Sequence, residues 1–506
     1  MQTNILEYLE QTAPRLPQKT AYSDGKYDMS FEELINASQK LGSALRARGY
    51  DREPIAILMK KHPREVAAFY GTVYAGCYYV PLDPDMPPMR MQTILESVGA
   101  RLLIVDETGA KKAMGLTLDG IETATYAELT AGEIDTEALN AVRRRAIDTD
   151  PIYIVFTSGS TGVPKGVVAC HRSVIDYVES LCEVMGFSEE TVFANQTPLY
   201  FDAPLKELMP VIKYGATAYF VPKMCFSFPM KLCDFLNDHK INTVCWVVSA
   251  LTMISELGAL EKNPPRYLRT VAFGSEVFPK RQYKLWREAL PEARFVNLYG
   301  PTEATGMSCY WHADRPLAEE EPIPVGRPFR NTDLLLITED GREAKDGETG
   351  EIYLRGTCVT LGYYNNPEKT AESFVQNPLH SHYPEILYRT GDLGYRNGHG
   401  ELVFVCRKDA QIKHQGHRIE LGEIESAAMR EVRVGRACCL YDGENKQILL
   451  FYTGEVEKDE LNRHLTGYLP RYMLPAMTLR LDRFPLTPNG KIDRNALRAL
   501  AKELQA

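Results

Sequence analysis

The sequence predicts an α/β protein: a large domain of parallel-rich sheets covered by helices, followed by a small α+β domain. Three observations predict it. From about Thr20 to Gly362, apolar β-type runs alternate with amphipathic helical patterns, the alternation that builds parallel sheets. After Gly350 the texture changes to short alternating strands and turns, and from Gly422 a compact mixed segment follows. At 506 residues the chain is also too long for one hydrophobic core.

In order, the first 19 residues read as a short amphipathic helix interrupted by Pro14, without the basic start and unbroken apolar stretch of a signal peptide. Pro54–Met59 reads as a strand, His62–Gly76 as a helix and Arg101–Asp106 as the next strand. Pro151–Phe156 reads as a buried strand that empties into a loop of glycines and hydroxyl side chains, FTSGSTGVPKGV (Phe156–Val167). Thr191–Thr197, Thr217–Pro222, Asn242–Val248, Arg269–Ser275 and Arg294–Gly300 are further strands. Several end directly in small or polar loops, where open α/β sheets place ligands. The last segment reads as a helix at Glu423–Arg430, strands at Arg436–Tyr441 and Gln447–Thr453, a helix at Lys458–Leu469 and a strand near Met477–Pro485. A boundary near Asp409 divides residues 1–408 from 409–506.

Composition narrows the class. Hydrophobic residues at 44% and charged residues at 25% are ordinary for a soluble globular protein. A net charge of −9 argues against a general nucleic-acid or anionic-membrane binder. No run approaches the roughly 18 apolar residues of a membrane span. The eleven cysteines show no C-x-x-C spacing, so buried reduced thiols are expected, as in a cytoplasmic enzyme.

A Gly/Ser/Thr loop leaving a strand can wrap backbone N–H groups and hydroxyls around phosphate oxygens, with a lysine adding charge. Pro164–Lys165–Gly166 stiffens the far end of the loop, which argues against a merely flexible connection. It is not a Walker loop, since Lys165 is followed by Gly166, and no G-x-S-x-G elbow occurs.

Around this loop the chain resembles the adenylate-forming superfamily, in particular the amino-acid adenylation domains of nonribosomal peptide synthetases and their free-standing relatives. The motifs stand in family order: MSFEEL (Met29–Leu34), YAGCYYVPLDPDMPPMRM (Tyr74–Met91), the loop itself, YFDAPLKE (Tyr200–Glu207) and NLYGPTEAT (Asn297–Thr305). GEIYLRG (Gly350–Gly356), YRTGDLG (Tyr388–Gly394), CRKDAQIKHQGHRIELGEIE (Cys406–Glu425), YLPRYMLP (Tyr468–Pro475) and PNGKIDR (Pro488–Arg494) follow. The resemblance implies the acyl-adenylate-forming enzyme fold, with a small β-barrel-like part in the large domain and a mobile C-terminal domain. It implies attack of a carboxylate on the α-phosphorus of ATP, then displacement of AMP by a thiol.

The resemblance also assigns roles. Thr157, Ser158, Ser160, Thr161 and Lys165 would grip the β- and γ-phosphates. Tyr299 would stack on adenine, Thr302 would contact the α-phosphate, and Glu303 would help hold Mg²⁺. Asp392 would take the ribose hydroxyls, with Arg407 adding a ribose or phosphate contact. Lys491 would bridge substrate carboxylate and phosphate oxygens, although by itself it reads as an exposed lysine in an Asn-Gly turn. Asp409 would be the hinge about which the small domain turns. One departure is Cys406, where the family usually has glycine.

Asp202 matches the carboxylate that pairs with a substrate α-ammonium, and Pro204 replaces the usual serine beyond it. The remaining pocket lining implied is Ala203, Lys206, Trp246, Val271, Phe273, Leu298, Gly306 and Met307. Lys206 would be a cation in an apolar lining, or else a lysine snorkelling to solvent. In the first case a small acidic amino acid is the natural substrate, while the short free-standing form resembles D-alanine-activating ligases. Only Asn495–Ala506 follows PNGKIDR, so the expected acceptor is the phosphopantetheine arm of a carrier protein in trans. An acid–CoA ligase of the same fold is the nearest rival. An ATP-binding regulator or ATPase without acyl transfer is a rival from another class.

Overall fold

The computed structural model describes residues 2–159, 163–408, 411–485 and 492–505, the last without its side chain. The chain forms two compact units. The first comprises Met1–Pro84, Leu95–Phe156 and Gly166–Lys408; the second comprises Asp85–Ile94, Thr157–Lys165 and Asp409–Ala506. Two segments from the first half of the chain therefore group with the C-terminal residues.

The first unit is built on a nine-stranded, a six-stranded and a five-stranded sheet. In the nine-stranded sheet, Thr20–Ser23, Thr217–Phe220, Val192–Asn195, Thr243–Val247, Thr270–Gly274 and Arg294–Tyr299 run parallel. Antiparallel strands close both edges, Asp28–Ser30 at one and Cys309–His312 followed by Arg327–Pro328 at the other. The parallel strands are apolar on both faces because helices cover both. On one face the largest core joins Cys245, Ala272, Val296 and Leu298 to Tyr177, Leu205 and Met209 of the helices His171–Met185 and Leu205–Tyr214. On the other, Trp246, Val271, Phe273 and Phe295 pack with Leu232, Leu251 and Trp286 of the helices Pro229–Asp238, Val248–Glu256 and Lys280–Ala289.

The six-stranded sheet runs Glu122–Thr125, Leu102–Val105, Pro54–Leu58, Tyr78–Leu82, Pro151–Thr157, Lys165–Cys170. Its apolar strands share the largest core with helices Phe31–Ala47 and Pro63–Tyr74. The MSFEEL stretch has a local job here. The Ser30 hydroxyl oxygen accepts a hydrogen bond from the Glu33 N–H, and the Glu33 carboxylate accepts one from the Ser30 N–H, a capping box that starts the helix. The N-terminal helix covers Leu6–Thr12 and stops before Pro14, as the residue pattern requires. The five-stranded sheet carries Gly350–Gly356, Ile386–Arg396 and Leu402–Arg407. Cys406 is accommodated there as an exposed strand residue paired with Leu393.

In the second unit, Val434–Asp442, Gln447–Gly454 and Met477–Arg480 form a three-stranded sheet. The helices Leu421–Met429 and Lys458–Thr466 pack on one face, where Ile424, Leu461 and Leu465 meet Cys439, Leu450 and Tyr452. The first helix starts two residues earlier than its apolar pattern suggests, and the second stops short of Gly467. All eleven cysteines are unpaired and nine are buried. No described helix is long and apolar enough to cross a membrane.

Candidate functional site

Asp202, Thr302 and Glu303 lie on loops leaving the C-terminal ends of parallel strands of the first unit, whereas Asp392 and Arg407 lie on antiparallel strands of its five-stranded sheet. The turn after Arg294–Tyr299 is the tightest. The Ser308 N–H donates to the Tyr299 carbonyl at 2.7 Å, so the chain leaves the strand and returns antiparallel within nine residues. A Cβ on Gly300 would stand 2.5 Å from the Met307 Cα, so only glycine fits this position. Between them, Thr302–Ala304 make a single 3₁₀ turn. The turn is pinned from outside by Thr360, whose N–H and hydroxyl both donate to the Glu303 carbonyl at 3.0 Å. The Glu303 side chain is fully buried and its carboxylate accepts the Tyr363 hydroxyl at 2.8 Å.

Tyr299 meets the five-stranded sheet. Its hydroxyl donates to Asp392 Oδ2 at 2.5 Å, and Arg407 Nη1 donates to Asp392 Oδ1 at 2.7 Å and to the Thr390 carbonyl at 2.8 Å. Asp392 is 3% exposed and lies opposite Arg407 in the strand register, which is why two residues fifteen apart in sequence form one pair. The cluster presents a fixed, charged carboxylate and an aromatic ring side by side, the chemistry needed to hold a polyhydroxyl group and a flat base.

Asp202 lies in the loop between strand Val192–Asn195 and helix Leu205–Tyr214. Pro204 caps that helix, and its carbonyl already accepts from the Leu208 N–H at 2.9 Å. Burial raises the Asp202 carboxyl above its usual range, opposed by a hydrogen bond from Thr302 and by the charge of Lys206. A Cβ on Gly306 would lie 3.6 Å from Asp202 Oδ2 and 3.9 Å from the Tyr177 hydroxyl. The Tyr153 and Tyr177 hydroxyls are buried without hydrogen-bond partners among the described residues. A cavity of about 10 Å³, room for one small group, lies against Asp202, Tyr153 and Leu205.

Most of the Lys206 side chain is buried. It is 5% exposed, and its ammonium has no hydrogen bond or ion pair among the described residues. Its charge acts on Asp202, Glu207 and Cys245. Behind it, Glu207 accepts a hydrogen bond from Asn195 Nδ2, and Lys61 Nζ donates to the Asn195 and Gln196 carbonyls at 3.1 Å each. Burial lowers Lys61 to about 7 and raises Glu207 to about 7.

The implied pocket is only partly assembled. Asp202, Lys206, Gly306 and Thr302 come together, with Leu298 and Met307 in the core beside Tyr177. Trp246, Val271 and Phe273 do not join them. Phe273 pairs with Trp246 and Asn297, so it shares their face of the sheet, and its ring packs against Phe278 and Tyr283 at 5.0 and 6.1 Å. Trp246 donates to the Ala194 carbonyl at 2.6 Å. In a strand, adjacent residues face opposite ways, so Cys245 and Ala272 take the face that Leu298 shares. Ala203 is half-buried at the loop end. Tyr153, Tyr177, Tyr363 and Cys245 went unnoticed in the sequence, where aromatic and thiol residues in apolar runs carry no signal beyond core.

In the second unit, the Thr157 hydroxyl is buried without a partner among the described residues, which suits an acceptor-rich ligand. The Ser158 hydroxyl is engaged: it donates to the Arg418 carbonyl at 2.9 Å and accepts from the Glu420 N–H at 3.2 Å. Lys165 is half-buried at the start of its strand. Ser160, Thr161, Asp409 and Lys491 lie outside the described residues.

Comparison with known proteins agrees with this arrangement. Residues 9–364 match the model of a family described as AMP-binding enzyme. The chain is 30% identical to surfactin synthase subunit 2 of Bacillus subtilis (strain 168) over 496 residues, 96% of this chain but 14% of that protein. It therefore spans about one seventh of that much longer relative. It is 32% identical to an L-proline–[L-prolyl-carrier protein] ligase of Streptomyces coelicolor, covering 90% of this chain and 88% of that one. Its fold is that of an artificially fused adenylation–PCP di-domain, NpsA-ThdA from Klebsiella oxytoca, with TM-score 0.81 at 21% identity, over 94% of this chain and 93% of that one. The family match over residues 9–364, together with a relative 32% identical over most of both chains, makes this chain a member of the AMP-binding enzyme family, an adenylate-forming enzyme.

Proposed function

We propose that the chain activates an amino acid with ATP and passes it to the phosphopantetheine thiol of a carrier protein in trans. In the first step a substrate carboxylate oxygen bonds to the α-phosphorus and the bond to pyrophosphate breaks. In the second the thiol sulfur bonds to the acyl carbon and AMP leaves with the electron pair. The observation that carries this reading is the position of Asp202, whose Oδ2 lies 3.6 Å from where a Cβ on Gly306, in the turn after Arg294–Tyr299, would stand. A carboxylate held there would meet an α-ammonium as the substrate's own carboxylate reaches the phosphate, and without that ammonium it would be left under-paired.

Asp392, Arg407 and Tyr299 would hold the ribose and adenine, and Thr157, Ser158, Ser160, Thr161 and Lys165 the phosphates. Glu303 would help hold a Mg²⁺, a hard cation that binds through one or two carboxylates plus phosphate oxygens and offsets their charge. Lys491 would neutralise charge in the adenylation step and Asp409 would serve as the hinge. The carrier-protein acceptor is supported by the relatives that act on, or are fused to, such proteins.

The Lys206 side chain, largely buried near Asp202, supports a small acidic amino acid as substrate, and the narrow cavity at Asp202 supports a small one, D-alanine included. A second reading, an acid–CoA ligase, is favoured by one observation: Lys206 already offsets part of the Asp202 charge. Pyrophosphate–ATP exchange across acidic amino acids, D- and L-alanine and aryl acids tests both, with Lys206→Ala alongside. Exchange with an acidic amino acid that falls at least tenfold in the variant is the expected result. Exchange only with acids lacking an α-amino group overturns the amino-acid reading.

A further inference from the structure

A cavity lies away from Asp202, Glu303 and Asp392. It measures about 220 Å³, opens to solvent at a rim that includes Asn140, and is lined by residues of the first unit. Asn4, the end of helix Pro63–Tyr74, helix Thr136–Arg145, Asp150 and His171 form its walls. At roughly 30 Å³ per water, that is the volume of about seven waters, and below the range of drug-sized pockets.

Its lining has more donors than acceptors. His171 is 3% exposed, and its Nδ1 accepts the Ile5 N–H at 3.2 Å. A neutral ring then carries its single proton on Nε2. That nitrogen faces Asn4 Nδ2 at 3.3 Å, and the Asn4 amide is oriented by its Oδ1, which accepts the Leu6 N–H at 3.0 Å. Two donors thus face each other with no acceptor between them. Arg143 uses Nη2 on Glu10 Oε1 at 2.7 Å, while its Nη1 is buried without an acceptor among the described residues. The Tyr74 hydroxyl, beside Glu10, is buried without a hydrogen bond of ordinary length. Three arginines line the cavity, Arg52, Arg143 and Arg145, against two carboxylates, Glu10 and Asp150.

We propose that this cavity binds a small oxyanion, a phosphate or a compact polycarboxylate, whose oxygens accept from Arg143 Nη1, His171 Nε2 and the Asn4 amide. Such groups are costly to bury unpaired, and charge-assisted bonds to an anion satisfy all three at once. Nothing in the adenylation chemistry uses these residues, so occupancy would act on stability or on the binding of a regulator.

The test is calorimetric titration of the full chain with inorganic phosphate and with citrate, in chloride buffer with saturating AMP to occupy the nucleotide site. Two variants accompany it: Arg143→Met, which removes the orphan donor, and Asn140→Trp, which fills the exposed rim and leaves the donors intact. Saturable one-site binding of either anion, weakened tenfold or more in both variants with unchanged pyrophosphate exchange, is the expected result; the tighter anion tells phosphate from carboxylate. Absence of saturable binding, or binding equal in wild type and Asn140→Trp, overturns the proposal. Should Arg143→Met fail to fold, Asn140→Trp decides alone.

Discussion

Replacing Asp392 by asparagine separates what this carboxylate does for the fold from what it does for the nucleotide. The substitution keeps the shape but leaves the Arg407 guanidinium, 11% exposed, facing a neutral amide in place of its partner at 2.7 Å. Removing one member of a buried pair typically destabilises by about 3 kcal/mol or more, because the survivor loses the opposite charge that offset its burial. The short bond from Tyr299 also weakens, since its acceptor is no longer ionised. Stability measured by denaturant midpoint should therefore fall by about 3 kcal/mol, and exchange at low ATP by about a hundredfold if ribose contacts worth a similar energy are lost. The double variant Asp392→Asn/Arg407→Met makes the distinction. With both charges gone the burial penalty vanishes, while the bond from Arg407 to the Thr390 carbonyl, worth about 1 kcal/mol, stays lost and the Tyr299 bond stays weakened as in the single variant. Stability should recover by about 2 kcal/mol while exchange stays low. A double variant no more stable than the single one would refute the pairing argument, and one that regains exchange would refute the nucleotide role.

Two further outcomes follow from the same structure. Burial and the nearby Arg143 charge lower His171 to about 3 from the 6.5 expected of a free histidine. Between those values the unfolded chain binds a proton that the folded chain does not, so the contribution is lost as pH falls through 6.5 and levels off near 3. At pH 5 the loss is about 2 kcal/mol, and a His171→Gln variant should show a correspondingly flatter stability profile between pH 7 and 5; an unchanged slope would contradict the burial argument. Phe273→Ala should cost about 3–5 kcal/mol of stability while leaving the ranking of amino-acid substrates intact, because its ring packs on the far side of the sheet. A changed substrate ranking in the exchange assay would place Phe273 back in the pocket.

The turn after Arg294–Tyr299 was legible in the sequence because it depends on local backbone geometry. Gly300 is needed where the turn folds back on itself, and Glu303 lies in the single helical turn that the same residues build. The alternation of apolar strands and amphipathic helices likewise announced the parallel sheets, since burial on both faces demands it. What the residue order could not decide was which face each strand residue takes. A strand's side chains alternate, so a one-residue difference in register separates Trp246 and Phe273 from Cys245 and Ala272, and only the packing of whole helices on each face selects between them. The same holds for the extent to which Lys206 is buried, which is set by neighbours distant in sequence. It holds too for the cavity lined by Asn4, Arg143 and His171, whose donors converge from three separate stretches of chain. Local turns and periodicities are written in adjacent residues; faces, burial and convergence are set by contacts that exist only once the chain has folded.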